Sequence, residues 1–125
     1  ERDRYTHQIV AAIAATTTVK LLRPGRRARI VGAEIIFHGA GVTQDPTNYY
    51  TIEVLAGANV AASWSFLTGA QGTLAADTFG SLVLHATDAN RIVAGSGDIS
   101  FRATKTGTAG NLPAAGRLNL SFRYV

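Results

Sequence analysis

Apolar and polar residues alternate along much of this chain with a period of two. At that spacing the side chains of a strand divide between the two sides of a sheet. From Arg117 to Val125, Leu118, Leu120, Phe122 and Tyr124 fall on one face, and Arg117, Asn119, Ser121 and Arg123 on the other. Asp98 to Thr106 repeats the pattern, with Ile99, Phe101 and Ala103 inward and Ser100, Arg102 and Thr104 outward. Val60, Ala62, Trp64 and Phe66 alternate with Ala61, Ser63 and Ser65, and Tyr50, Ile52 and Val54 oppose Thr51 and Glu53. Further strands are predicted over Thr18 to Arg23, Ala28 to His38, Ser81 to Thr87 and Arg91 to Ala94. The segment from Ala28 to His38 is nearly continuous in apolar residues, as a strand covered on both faces is.

Turn-forming residues punctuate these segments at Pro24-Gly25, Gly57-Ala58-Asn59, Asp88-Ala89-Asn90 and Gly95-Ser96-Gly97-Asp98. Three connections are longer: Gly39 to Asn48, Leu67 to Gly80, and Gly107 to Gly116. No window beyond Ile9 to Ala15 carries a helical apolar stripe, and strands do not alternate with helices. The pattern predicts an all-β fold, an eight-stranded antiparallel β-sandwich or jelly roll over residues 18–125. Residues 1–17 are expected to form an N-terminal arm or the first strand, with Arg2, Arg4 and Tyr5 as its anchors and Ile9, Val10 and Ile13 as apolar contacts. No internal repeat or linker divides the chain.

Composition narrows the chemistry. At 125 residues the chain is of single-domain length and buries roughly two-thirds of its unfolded surface on folding. It has no cysteine, so disulfides and thiolate metal sites are excluded. It has no methionine, so Glu1 is not expected to be a translation start. No stretch reaches the ~20 apolar residues of a membrane span, and no membrane partner is expected. Only 16% of residues are charged, against about 25% in ordinary soluble domains. The surface must therefore be rich in threonine, serine, glycine, asparagine and alanine, as in chains that bury part of their exterior against neighbours.

His7, His38 and His85 lie far apart in sequence, and the eight acidic residues are scattered singly. No phosphate-binding loop or nucleophile elbow is present. The chain is expected to have no catalytic residues, no cofactor and no metal, and not to be an enzyme. Asn119-Leu120-Ser121 matches a glycosylation acceptor but sits inside the best strand. Tyr49, Tyr50 and Trp64 suit a sugar-binding face or, more simply, core and interface positions, and Trp64 is read as core.

The net charge is +4, and one cluster dominates it: Arg23, Arg26, Arg27 and Arg29 around Pro24-Gly25. These arginines read as a contact for an anionic partner, or as a solvated turn that protects a sheet edge. No aromatic residue interleaves with them in the sequence, so a nucleic-acid stacking platform is not expected.

Over residues 17 to 125 the order of features resembles the phage head decoration, or cement, proteins of jelly-roll type. The resemblance is carried by Thr18-Val19-Lys20-Leu21-Leu22-Arg23-Pro24-Gly25, the long strand Ile30 to Phe37, and Tyr50-Thr51-Ile52-Glu53-Val54. It continues with Arg91-Ile92-Val93-Ala94-Gly95-Ser96-Gly97-Asp98-Ile99-Ser100-Phe101 and the closing alternating strand. It implies a structural virion protein, assembled in the host cytoplasm and bound as a homotrimer to the major capsid protein on the outer capsid surface. Arg2, Arg4, Tyr5, Arg23, Arg26, Arg27 and Arg29 are then the expected capsid or subunit contacts. The competing expectation is a receptor- or carbohydrate-binding module of a phage fibre or baseplate, with recognition on the loops Gly39 to Asn48 and Gly107 to Gly116.

Overall fold

A computed structural model describes residues 2–125; Glu1, the first residue of the expected arm, lies outside them. Ten strands form: β1 (Asp3–Ile9), β2 (Thr17–Leu22), β3 (Ala28–Phe37), β4 (Tyr49–Ala56), β5 (Asn59–Ser65), β6 (Gly80–Ser81), β7 (Val83–Leu84), β8 (Ile92–Val93), β9 (Ile99–Thr106) and β10 (Gly116–Tyr124). A single 3₁₀ turn, Asp88–Arg91, precedes β8.

The strands pair in a nested way. β1 pairs with β10, β2 with β9, β3 with β8, and β4 with β5, all antiparallel. The chain is thus one long hairpin, rolled up so that β10 also pairs with β3 and β9 with β4. One sheet runs β1-β10-β3-β6 with β8 also on β3, and the other runs β2-β9-β4-β5-β7. This is the jelly-roll form of the β-sandwich.

The strand count is ten rather than the expected eight, for two reasons. Asp3–Ile9 pairs along its whole length with β10. The stretch Ser81 to Thr87, expected as one strand, is split where the chain passes between the layers. Gly80 and Ser81 pair with β3, whereas Val83 and Leu84 pair with β5 in the other sheet. Leu82, buried at the crossing, donates its N–H to Ala33 O at 2.9 Å.

The inner faces close over one apolar cluster. Ile30, Ile35 and Phe37 from β3, Ile52 and Val54 from β4, Ile99 and Phe101 from β9, and Leu118 and Leu120 from β10 are among its fully buried members, with Phe66 and Leu112 from the loops. Burying each such side chain favours folding by about 1.5–3 kcal/mol. Bulges re-aim three strands; in one, β9 pairs Ser100 with Lys20 and Ile99 with Leu22, so Leu21 is the extra residue. β10 pairs Phe122 with Ile30 and Ser121 with Gly32, so Val31 is the extra residue. β4 pairs Val54 with Ala62 and Leu55 with Val60, so Ala61 is the extra residue. The Ala61 bulge alters the expected alternation: Ala61 and Ala62 are both buried and Val60 is half-buried, while Trp64, opposite Ile52, keeps its inward register and packs half-buried against the core.

Candidate functional site

The turn joining β2 to β3 carries Arg23, Arg26 and Arg27, and Arg29 is the second residue of β3. Gly25 sits at φ +78°, where a side chain is disfavoured, and its N–H donates to Gly95 O at 3.0 Å. Gly95 comes so close to the turn that a Cβ there would lie 2.7 Å from Gly25 O and 2.8 Å from Arg26 Cα. The C-terminus closes the assembly: Val125 N donates to Arg27 O at 3.0 Å, and the Tyr124 hydroxyl reaches Pro24 O at 3.4 Å.

This packing gathers more charge than the sequence cluster contains. Register sets Arg123 of β10 directly opposite Arg29 of β3, and Arg2 immediately precedes Asp3, the partner of Phe122. Like charges directly opposite each other on a sheet are destabilising, and two carboxylates offset them. Asp88 lies between two guanidiniums, with Arg29 Nη2 donating to Oδ2 at 3.1 Å and Arg91 Nη2 to Oδ1 at 2.9 Å. Arg29 Nε is also 3.0 Å from Asp88 Oδ1, near enough for an ion pair but misdirected for a hydrogen bond. Asp98 accepts from Arg23 Nε at 3.1 Å and lies 3.4 Å from Lys20 Nζ. The Arg23 bond, reinforced by Lys20 and both positive charges, holds its carboxyl below the usual carboxylate range against some desolvation.

In the turn and on the end of β10, Arg26, Arg27 and Arg123 meet no carboxylate among the described residues. Arg26 lies over the Tyr124 ring at 4.4 Å, and Phe122 meets that ring edge-on at 5.9 Å. Sequence order hid Tyr124, Lys20, Arg91, Arg123, Asp88 and Asp98 from this site. Each belongs to an ordinary alternating strand or turn, and only the strand register brings it to the arginine turn.

Arg4 and Tyr5, expected as arm anchors and as capsid or subunit contacts, lie farther along β1 than the arginine turn, opposite Ser121 and Leu120. Arg4 instead lines an open groove of about 600 Å³ on the outer face of its sheet with Thr6, Glu34, Ser81, Arg117 and Asn119. One cross-strand row, Thr6-Asn119-Glu34, is hydrogen-bonded throughout: Thr6 Oγ1 to Asn119 Oδ1 and Asn119 Nδ2 to Glu34 Oε1, both at 3.1 Å. Asn119 is therefore a half-buried sheet residue.

At the opposite end, the loops after β3 and β9 enclose a cleft of about 200 Å³ lined by Thr43, Asn48, Tyr49 and Asn111 among others. Tyr50 does not serve as an exposed sugar platform, because it is 2% exposed and its hydroxyl donates to Ile13 O at 3.1 Å. The histidines stay apart: His7 packs on Phe101, His38 faces Asp77 at 3.4 Å, and His85 Nδ1 accepts from Thr87 N at 3.0 Å.

Fold and surface together define a jelly-roll sandwich with an apolar interior and one arginine-rich end. Neither a family model nor a curated protein matches this chain. Among solved structures it is similar to a chain in a structure of infectious bursal disease virus, Gx strain, at 14% sequence identity and a TM-score of 0.37. The match covers 99% of this chain and 33% of that one, so this chain spans about a third of the viral chain's length.

Proposed function

We propose that the chain is a structural virion protein, a jelly-roll module that decorates the outer surface of a capsid as a homotrimer and contacts the major capsid protein. Its role in this reading is non-catalytic. The observation that carries it is the arginine-rich end, a contact surface set on a sandwich whose interior is filled by side chains such as Phe37, Phe66 and Phe101. Such a module acts by contact area and charge. Many weak copies on a shell oppose internal pressure together, an effect of multivalency rather than of one strong bond. The strand order and turns that resemble cement proteins support the same reading, and closure of three copies about an axis suits two complementary patches per subunit.

The test is twofold: the mass of the chain in solution, and the heat resistance of capsids with and without it. A trimer that raises the temperature of head disruption is expected. A strict monomer that leaves heated capsids unchanged removes the proposal.

One observation favours a second reading, recognition of a small saccharide by the loop cleft. Tyr49 is half-buried there, with Asn111 exposed beside it. Reproducible binding on a glycan array, lost on Tyr49→Ala and Asn111→Ala, favours that reading over the first.

A further inference from the structure

Seven basic side chains, Lys20, Arg23, Arg26, Arg27, Arg29, Arg91 and Arg123, meet at one end of the sandwich with only Asp88 and Asp98 among them. Their excess of five exceeds the +4 of the whole chain. Adding Arg2 and Asp3 leaves that excess unchanged, and the remainder of the molecule is slightly acidic.

Resting on the capsid-contact reading, we infer that the arginine end docks on an acidic protein surface bearing discrete carboxylates, with Arg26, Arg27 and Arg123 as the residues that reach it.

Three features select that partner. First, the cations are of two kinds. Lys20, Arg23, Arg29 and Arg91 are already held by Asp98 or Asp88, whereas Arg26, Arg27 and Arg123 meet no carboxylate among the described residues. The second kind therefore retains unused guanidinium donors for planar carboxylates. Second, the patch is of mixed sign. A nucleic-acid backbone presents one charge per ~1.7 Å of duplex, and Asp88 and Asp98 would repel it. A protein surface meets the same two carboxylates with cations of its own. Third, the exposed ring at this end is partly engaged: Tyr124, 36% exposed, has Arg26 over one face and Phe122 nearly perpendicular to it, and its hydroxyl is turned to Pro24. A base stacking on the covered face would have to displace Arg26, and no second exposed ring stands beside it to continue a stack.

A second copy of this chain is a poorer partner. The opposite end presents Asp45 and Asp77 as its carboxylates. Asp45 is bound by the backbone N–H groups of Thr47 and Asn48, and Asp77 by Gly39 N and His38.

The experiment measures binding of the intact chain to poly-L-glutamate and to a single-stranded oligothymidylate of equal charge, across a salt series. Poly-L-glutamate binding is expected to weaken steeply with salt. It should fall at least tenfold in the triple variant Arg26→Glu, Arg27→Glu, Arg123→Glu. The milder Arg26→Gln, Arg27→Gln, Arg123→Gln triple, checked for a native near-ultraviolet spectrum, should show most of that loss. Undiminished binding by a folded triple variant overturns the inference, as does oligothymidylate binding tenfold or more tighter than poly-L-glutamate. Trimer mass is read separately on the same samples. A trimer that protects capsids but ignores poly-L-glutamate sinks this inference alone, whereas a monomer that leaves heated capsids unchanged yet binds poly-L-glutamate through these arginines sinks only the capsid-contact reading.

Discussion

Phe101 lies where the two layers are closest to being one object. It is 1% exposed, its backbone pairs with Val19 on one side and Val54 on the other, and the His7 ring packs on it with centroids 5.5 Å apart. Its removal leaves a cavity that flanking strands pinned by their ladders cannot collapse into. Phe101→Ala should therefore lower stability by about 3–5 kcal/mol, read as a shift of the denaturant midpoint at unchanged slope. His7 brings a pH dependence to the same contact. Burial pushes its pKa below the ordinary 6.5, so the folded chain resists protonating it. The resulting stability is complete above about pH 6.5 and is lost as pH falls through the lower folded value. In His7→Gln the decline of stability just below pH 6.5 should flatten. The acidic groups with shifted values, Asp45, Glu53 and Asp98, are all held below the ordinary carboxylate range and titrate outside that window. At this scale the alternation in the sequence reads well where pairing is regular. Ile99, Phe101, Ala103, Leu118 and Leu120 all face inward as their spacing implies. It misplaces Val60 because the extra residue Ala61 resets the count, and no local signal in Val60-Ala61-Ala62 announces a bulge. Trp64, beyond the bulge, keeps its inward register opposite Ile52 and packs half-buried against the core, and its indole N–H is covered without an acceptor. Trp64→Phe removes that unpaired donor along with part of the indole, so relief of the buried N–H offsets some of the packing lost with the smaller ring, and the net cost should stay below about 2 kcal/mol.

The turn between β2 and β3 is an element whose shape is dictated from elsewhere in the chain. Pro24-Gly25 announces a turn, but its seat is the backbone of Gly95, seventy residues later. A methyl group on Gly95 would meet backbone atoms of Gly25 and Arg26 below 3 Å, and backbone cannot swing aside as a side chain does. Gly95→Ala should therefore displace the arginine turn and break the Gly25 N to Gly95 O bond. The expected readings are faster amide exchange at Gly25 and weaker poly-L-glutamate binding, with the Phe101 core still protected. Equal loss of protection throughout the core would contradict this local account. The two segments of the sequence resemblance, one ending at Pro24-Gly25 and the other containing Gly95, thus form a single contact in space. Seven of the eight expected strands have observed counterparts at nearly the expected positions, because long alternating or apolar runs carry their own signal. Ser81 to Thr87 does not, because a chain that leaves one sheet and joins the other within four residues has the composition of a strand without its continuity. The candidate site was legible only as its arginines. Its carboxylates sit in a 3₁₀ turn and in the turn before β9, and their partners are set by the pairing of β3 with β8 and of β2 with β9.

Over the whole molecule, charge is distributed unevenly, and the unevenness has a mechanical cost. Arg29 and Arg123 are directly opposed, and Arg26 and Arg27 project from the same end. Their mutual repulsion acts in the folded state and is relaxed when the strands separate. Asp88 is the group that keeps it tolerable, since it accepts from both Arg29 and Arg91. Exposed pairs of this kind contribute about 0.2–1 kcal/mol each, so Asp88→Asn should lower the thermal midpoint by about 2–5 °C in a domain of this length. The sign of the salt response then distinguishes repulsion from simple loss of a hydrogen bond. At low ionic strength the screening length is about 30 Å and shrinks to about 8 Å at physiological salt. Added salt should therefore recover part of the midpoint in Asp88→Asn, and recover more than it does in Asp88→Asn combined with Arg123→Ala. If both variants respond alike, the end is not electrostatically strained and Asp88 serves only as a hydrogen-bond acceptor. A surface strained when bare and relieved when acidic groups cover it favours its bound state twice, once through new contacts and once through release of self-repulsion.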